Sequence, residues 1–276
     1  MLMRILITGA NGQLGREVAR QGIQHDLVLA GRDKLDITNT SQVSSFMREV
    51  KPDAVIHCAA YTNVDGAESD EDGAFRVNVV GAQNVAAGCL ETGGRMVYVS
   101  TDYVFDGEKR DVYREFDAVN PQTVYGRTKW QGEEMVRRIL GRHYIVRTAW
   151  LYGEGNNFVR TMLRLARQQD TLRIVHDQIG TPTSTVELAK AIFQLLESDS
   201  YGTYHATCQG QCSWYDFACE IFRQTGKQVK IVPVATGEFP RPAKRPAYSV
   251  LDNYMLRMTV GDPMREWQTA LKEYIK

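Results

Sequence analysis

The sequence is poor in several features that would direct its reading at once. It carries no net charge, since Lys+Arg and Asp+Glu each number 33 among 276 residues. With no field of one sign to recruit polyanions, nucleic-acid binding is disfavoured as the main task. No apolar run approaches the roughly 18 residues of a membrane helix, so no membrane partner is expected. Residues 4–8 form a short apolar run that leads into glycines, without the small-residue cleavage site of a signal peptide. Cysteine is scarce and unpatterned. The five residues (Cys58, Cys89, Cys208, Cys212, Cys219) are odd in number, and Cys208 and Cys212 lie four apart. That is not the two-residue gap usual in metal and redox motifs. They read as ordinary thiols, no metal site is expected from them, and a reduced cytoplasm is the expected compartment. Internal repeats and low-complexity segments are missing too.

What remains is an ordinary globular composition, 43% hydrophobic and 24% charged, enough for one large α/β domain or a main domain with a smaller partner. The first half alternates short apolar runs with amphipathic stretches, the pattern of βαβ units and a parallel sheet. Strands are predicted at 4–8, 27–30, 54–58, 96–100 and 144–147, and helices at 14–21, 41–50, 74–92 and 125–140. Gly93-Gly94 and Gly141 supply stop signals, and Lys51-Pro52-Asp53 separates the second helix from its strand. After Trp150 the rhythm changes. Helices are predicted at 157–169, 184–196, 213–225 and 263–275, short strands at 172–175, 203–206 and 230–233, and a proline-rich loop at 239–246. The expected fold is α/β, a Rossmann-type doubly wound parallel sheet with a smaller C-terminal substrate-binding lobe. Residues 1–150 form the dinucleotide-binding domain, open to completion by elements of the second half, and 151–276 form mainly the lobe.

Gly9-Ala10-Asn11-Gly12-Gln13-Leu14-Gly15 follows the first strand and opens the first helix. A turn there needs residues without a β-carbon, so that backbone approaches a pyrophosphate and the helix packs on the strand. The helix N-terminus then offers free N–H groups and partial positive charge to that anion. The second strand ends Ala30-Gly31-Arg32, with Asp33 one step later. A guanidinium suits a 2′-phosphate, and so favours NADPH with NADH still usable. The alternative is that Arg32 is a solvated loop residue. Asp36 suits a cap for the next helix. Ala59-Ala60-Tyr61 ends the third strand at the carboxyl edge, where such sheets bind ligands, and Val99, near the end of the fourth, is a further candidate at the cofactor. His57 reads as a packed core histidine.

The chemistry points to Thr101 after the fourth strand and to Tyr125-Gly126-Arg127-Thr128-Lys129 at a helix start. Four apart on a helix, Tyr125 and Lys129 share a face. A phenol titrates near pH ~10, and a nearby ammonium is expected to lower that value. The hydroxyl of Thr101, or of Ser100 beside it, can bond the same substrate oxygen. Proton donor, tuner and orienter together suit carbonyl reduction.

This arrangement resembles the extended short-chain dehydrogenase/reductase superfamily, and longer strings narrow it. Residues 59–68, 100–107, 147–153, 155–158, 177–183 and 245–252, in that order, resemble the dTDP-4-dehydrorhamnose reductase family. The resemblance implies reduction of dTDP-4-keto-L-rhamnose by hydride transfer from NAD(P)H, with Tyr125 giving the proton and Lys129 also holding the nicotinamide ribose. It implies that Asp36 and Ile37 contact the adenine of the cofactor, and that Thr101, Asp102, Tyr103, Trp150, Asn156 and Asn157 lie at the sugar nucleotide. Arg241 and Arg245 in the proline-rich loop are placed to neutralise its pyrophosphate, unless, like most basic loops, they are merely solvated. Glu17, Glu187 and Glu273 match positions linked with a magnesium-bridged dimer in part of the family, so the chain is expected as monomer or homodimer with Mg2+ optional. Two rival readings stand beside this one. A 4,6-dehydratase or epimerase of the same superfamily needs further chemistry, and the dehydratase glutamate is replaced here by Tyr103. A non-catalytic regulatory subunit would have little use for the intact Thr101, Tyr125 and Lys129.

Overall fold

The structure, a computed structural model, describes residues 2–276. Strand β1 (Arg4–Thr8) has Ile5, Leu6 and Ile7 all fully buried, so both faces of the strand are covered. That is the signature of a strand inside a parallel sheet with helices on either side. Its neighbours are β2 (Asp26–Ala30) on one edge and β3 (Ala54–His57) on the other, followed by β4 (Arg95–Thr101) and β5 (His143–Thr148). The sixth strand, Gly202–His205, comes from the second half of the chain and pairs in parallel with β5. The order is therefore β2-β1-β3-β4-β5 and then 202–205, all parallel.

Alternation along these strands divides the core into two layers. Ile5, Ile7, Ile56 and Val146 face helix α1 (Gln13–Gln21) and the helix Thr185–Leu196, through Leu14, Val18, Leu188 and Ile192. Leu6, Val55, Met96 and Ile145 face helix α2 (Thr40–Val50) and the helices Gly81–Thr92 and Val124–Ile139. Because β2 and β3 lie on opposite sides of β1, the chain changes direction there. A crevice opens beyond the carboxyl ends of β1 and β3.

The rest of the second half is built from three two-stranded ladders. Leu151–Tyr152 pairs with Thr183–Ser184, Ile179–Gly180 with Cys212–Ser213, and Thr171–Val175 with Lys230–Val234. The chain leaves β5 for the first of these at Trp150, whose φ is 47°.

Several predicted elements differ in the structure. The single helix expected at 74–92 is three pieces, Glu71–Phe75, a π-helical turn Arg76–Val80, and Gly81–Thr92. It begins earlier because the Asp70 side chain caps it, accepting from the Gly73 N–H. The π turn carries Asn78, buried, which accepts from the Tyr61 N–H at 2.8 Å and donates to the Thr128 hydroxyl at 3.1 Å. A short helix, Val64–Ala67, capped by Asn63, was not expected in this glycine-bearing stretch, nor was Tyr254–Thr259. The last helix starts at Trp267 and not at 263, because the Met264 N–H turns back to the Asp262 carboxylate. The five cysteines are free thiols. No helix among the described residues is long and apolar enough to cross a membrane.

Candidate active site

The carboxyl ends of β1, β3, β4 and β5, the start of helix Val124–Ile139 and the proline-rich loop meet around one cleft of about 1560 Å³. Of the site residues read from the sequence, only Asn157 does not line it.

At the dinucleotide end, Gly9 has φ 65°, and a β-carbon on it would fall 2.6 Å from the Ala59 nitrogen at the end of β3. A β-carbon on Gly15 would fall 2.4 Å from the Gly9 carbonyl oxygen. The turn thus closes only with hydrogen at both positions. Gly12 caps α1 without a side-chain bond, so the first-turn N–H groups near Gln13, Leu14 and Gly15 face the cleft with no side-chain cap. The Gln13 side chain reaches the other way and accepts from the Gly153 N–H at 3.0 Å. Arg32 is exposed at the cleft rim. Asp33 turns back over the loop, its carboxylate close to Gly31 and to the Asn11 amide. Asp36 uses its carboxylate in a local turn, accepting from the Thr38 N–H and hydroxyl at 3.0 and 2.8 Å, which hold it below the usual carboxylate range. The cap of α2 itself is Asn39.

The chemical centre is set by a capped helix. The Thr123 hydroxyl accepts from the Gly126 N–H at 3.0 Å, which places Tyr125 in the first turn and Lys129 one turn on. The Lys129 ammonium donates to the Val99 carbonyl at 2.7 Å and lies 4.1 Å over the Tyr98 ring. Burial pulls its pKa down to about 7, against which the Glu133 carboxylate acts. Tyr125 is pushed up by burial, with the Thr101 hydroxyl opposing. Burial thus dominates the phenol, where helix spacing predicts a lowering by the Lys129 ammonium, which bonds the Val99 carbonyl.

The two candidate orienting hydroxyls are engaged differently. Ser100 donates to the Glu133 carboxylate at 2.5 Å, which is also held by the Arg147 guanidinium at 2.9 and 2.7 Å, all buried. Thr101 lines the cleft, donating to Asp102 at 3.0 Å and accepting from the Tyr103 N–H. Burial raises Asp102 to about 6, with the Ser249 and Thr101 hydroxyls opposing, and one of its oxygens has no protein partner. His57 is a core histidine: it bonds the Thr8 hydroxyl at 2.8 Å, and burial lowers it to about 3.

At the far end, Trp150 lines the cleft beside Trp214 and Phe158. Tyr103 packs edge-on against Tyr125, ring centroids 5.5 Å apart. Arg245 pairs with Asp65 at 2.8 Å, tying the proline-rich loop to the residues after β3, while Arg241 is exposed on the lining. Asn156 is on the lining too, but Asn157 is engaged elsewhere. Its oxygen caps helix Phe158–Leu165, and its amide donates to the carbonyls of Gly153 and Gly155 and to the Tyr274 hydroxyl. Every polar atom of that side chain has a protein partner, and the residue does not line the cleft.

The three glutamates considered for magnesium do not meet as a site. Glu187 and Glu273 both accept from the Arg265 guanidinium, at 2.6 and 2.7 Å, and Glu17 is bonded by Arg20 and Gln21. No group of three metal-ligating side chains exists among the described residues. Sequence reasoning missed the Ser100–Glu133–Arg147 network, since nothing marked Glu133 as buried except its place four residues beyond Lys129. It also missed Trp214, for which the sequence held no signal.

Comparison with known proteins agrees along the whole chain. A profile described as RmlD substrate binding domain matches residues 3–276. A dTDP-4-dehydrorhamnose reductase of Aggregatibacter actinomycetemcomitans is 41% identical, with 98% of each chain covered. The crystal structure of a dTDP-4-dehydrorhamnose reductase from Clostridium acetobutylicum superposes with a TM-score of 0.98 at 55% identity, over 99% of this chain and 98% of the other. That of the Bacillus anthracis enzyme, solved in complex with NADP, gives 0.97 at 42% identity, over 100% and 99%. On this evidence the chain belongs to the RmlD substrate-binding family, with the Rossmann-type fold of the extended short-chain reductases.

Proposed function

We propose that the chain reduces dTDP-4-dehydro-L-rhamnose to dTDP-L-rhamnose with NADPH, a step in making rhamnose for cell-surface polysaccharide. The observation that carries the reading is the half-buried Tyr125 phenol near the Thr101 hydroxyl, with Lys129 one helical turn on, in a cleft whose other end is a glycine turn at a helix start. The glycine turn fits a dinucleotide pyrophosphate, because Gly9 and Gly15 close it tightly and the first-turn N–H groups of α1 face the cleft without a side-chain cap. NADPH, when bound, supplies the hydride. Gly9, Asn11, Gly12, Gln13, Leu14 and Gly15 would hold its pyrophosphate, Arg32 its 2′-phosphate, and Asp36 and Ile37 its adenine side. Ala59, Ala60, Tyr61 and Val99 would line its path, and Lys129 would take the ribose hydroxyls.

Tyr125 donates its proton to the former carbonyl oxygen and regains one from solvent, while Thr101 holds that oxygen. Asp102, half-neutral near pH 6 and with a free buried oxygen, bonds a sugar hydroxyl. Tyr103, Trp150 and Asn156 wall the sugar, and Arg241 and Arg245 face the diphosphate. The division of labour follows the sheet. Residues up to Trp150, completed by helix Thr185–Leu196 and strand Gly202–His205, bind the dinucleotide; the ladders of the second half bind the sugar nucleotide.

The test is reduced-nicotinamide absorbance with dTDP-4-dehydro-L-rhamnose and the purified chain. Stoichiometric loss of absorbance with formation of dTDP-L-rhamnose is expected. Conversion without net consumption would instead mark an epimerase, and no conversion a regulatory subunit.

A further inference from the structure

Trp150 and Lys51 are the two non-glycine residues with positive φ among the described residues. For a bulky side chain this backbone is unfavourable and persists only where the surroundings over-determine it. Those surroundings come from the second half of the chain. Trp214 stacks on the Trp150 indole with ring centroids 3.5 Å apart and planes 6° from parallel. Gly180 lies against the same indole: a β-carbon there would fall 2.5 Å from Cε2 and 2.6 Å from Nε1. Gly180 belongs to the ladder with Cys212–Ser213, and Trp214 follows it directly as the first residue of helix Trp214–Thr225. A capping box between Ser213 and Asp216 locks that helix start. Behind it, Trp214 packs against Phe158 and Phe217, with centroids at 4.6 and 6.3 Å, so it has no room to recede. The plane of the Trp150 indole is therefore set by the ladder and helix it meets, not by β5, from which its backbone departs.

We propose that Trp214 is a positioning residue for the sugar end of the cleft: together with Gly180 it holds the Trp150 indole at the angle at which that indole meets the sugar nucleotide. The proposal rests on the reading of Trp150 as a wall of the sugar site. Loosening the stack should weaken the sugar nucleotide and spare the dinucleotide, which binds at the opposite, glycine-turn end.

The full-length Trp214→Leu and Trp214→Phe chains test this against the parent. Close-stacked indoles couple optically, so the parent should show an exciton couplet in circular dichroism that both variants, and Trp150→Phe, lack. An aromatic pair contributes roughly three- to tenfold in an equilibrium constant. The Michaelis constant for the sugar nucleotide should rise by about that factor in Trp214→Leu and less in Trp214→Phe, and that for NADPH should stay within about twofold. Calorimetry with dTDP-L-rhamnose and with dTDP gives a reading free of turnover, in which Trp214→Leu should lose affinity for the sugar-bearing ligand selectively. Loss of the couplet with an unchanged affinity ratio, or equal weakening of NADPH and sugar nucleotide, overturns the inference alone. A parent that binds neither dTDP ligand overturns the functional reading and this inference with it.

Discussion

Replacing Glu133 by alanine is the perturbation whose size the structure defines best. Glu133 is fully buried, and its carboxylate receives two bonds from Arg147, itself 3% exposed, and one from Ser100. The substitution leaves a guanidinium in the interior with no counter-charge, although its stack on Phe105 at 5.2 Å survives. Removing one partner of a buried pair costs about 3–5 kcal/mol. Unfolding entropy for a chain of this length is about 0.6 kcal/mol/K, so Tm should fall by about 5–8 °C. The double substitution Glu133→Leu with Arg147→Met removes both charges and should recover most of that loss, since an apolar pair of similar volume replaces an ion pair at little cost. Differential scanning calorimetry of parent, single and double variants measures it. A single variant within about 1 kcal/mol of the parent, or a double variant worse than the single, would refute the reading of this network as a mutually dependent buried pair.

Two further outcomes follow from the cleft. Arg32→Ala should raise the Michaelis constant for NADPH by roughly tenfold and leave that for NADH almost unchanged, because an exposed charged hydrogen bond sits at the low end of its range; equal movement of both constants would make Arg32 a solvated loop residue. Lys129 loses its proton near pH 7 in the folded chain, against an ordinary value of 10.5. Between those values the unfolded chain holds the proton and the folded chain does not, so the parent gains stability as pH rises through this window. Lys129→Met should lack that rise, and parallel melting curves from pH 6 to 10 would contradict it.

The sheet was legible because its strands are continuous apolar runs with turn signals between them, from Arg4–Thr8 to His143–Thr148. The sixth strand was legible as a strand near 203–206, and the sheet was expected to be open to completion from the second half, but which element returns was not legible, because pairing with β5 is a long-range choice that no local pattern encodes. The π turn at Arg76–Val80 was hidden for the same reason: Asn78 distorts the helix to reach Tyr61 and Thr128, which lie far off in sequence. In the cleft, spacing placed Tyr125 and Lys129 on one helix face but said nothing of the Val99 carbonyl that the ammonium bonds, nor of the desolvation that raises the phenol. Asn156 and Asn157 are adjacent in the sequence, yet only Asn156 lines the cleft, because the Asn157 amide is bonded to the loop and to Tyr274.

In the proposed reaction Tyr125, whose pKa is raised by desolvation, hands its proton to the reduced oxygen. Single-turnover reduction of dTDP-4-dehydro-L-rhamnose by Tyr125→Phe, with NADPH affinity measured on the same preparation, tests it most directly. Turnover should fall by at least ~100-fold, the scale of a lost general acid, while NADPH binds as in the parent. Near-parental turnover in a folded Tyr125→Phe chain would contradict the account.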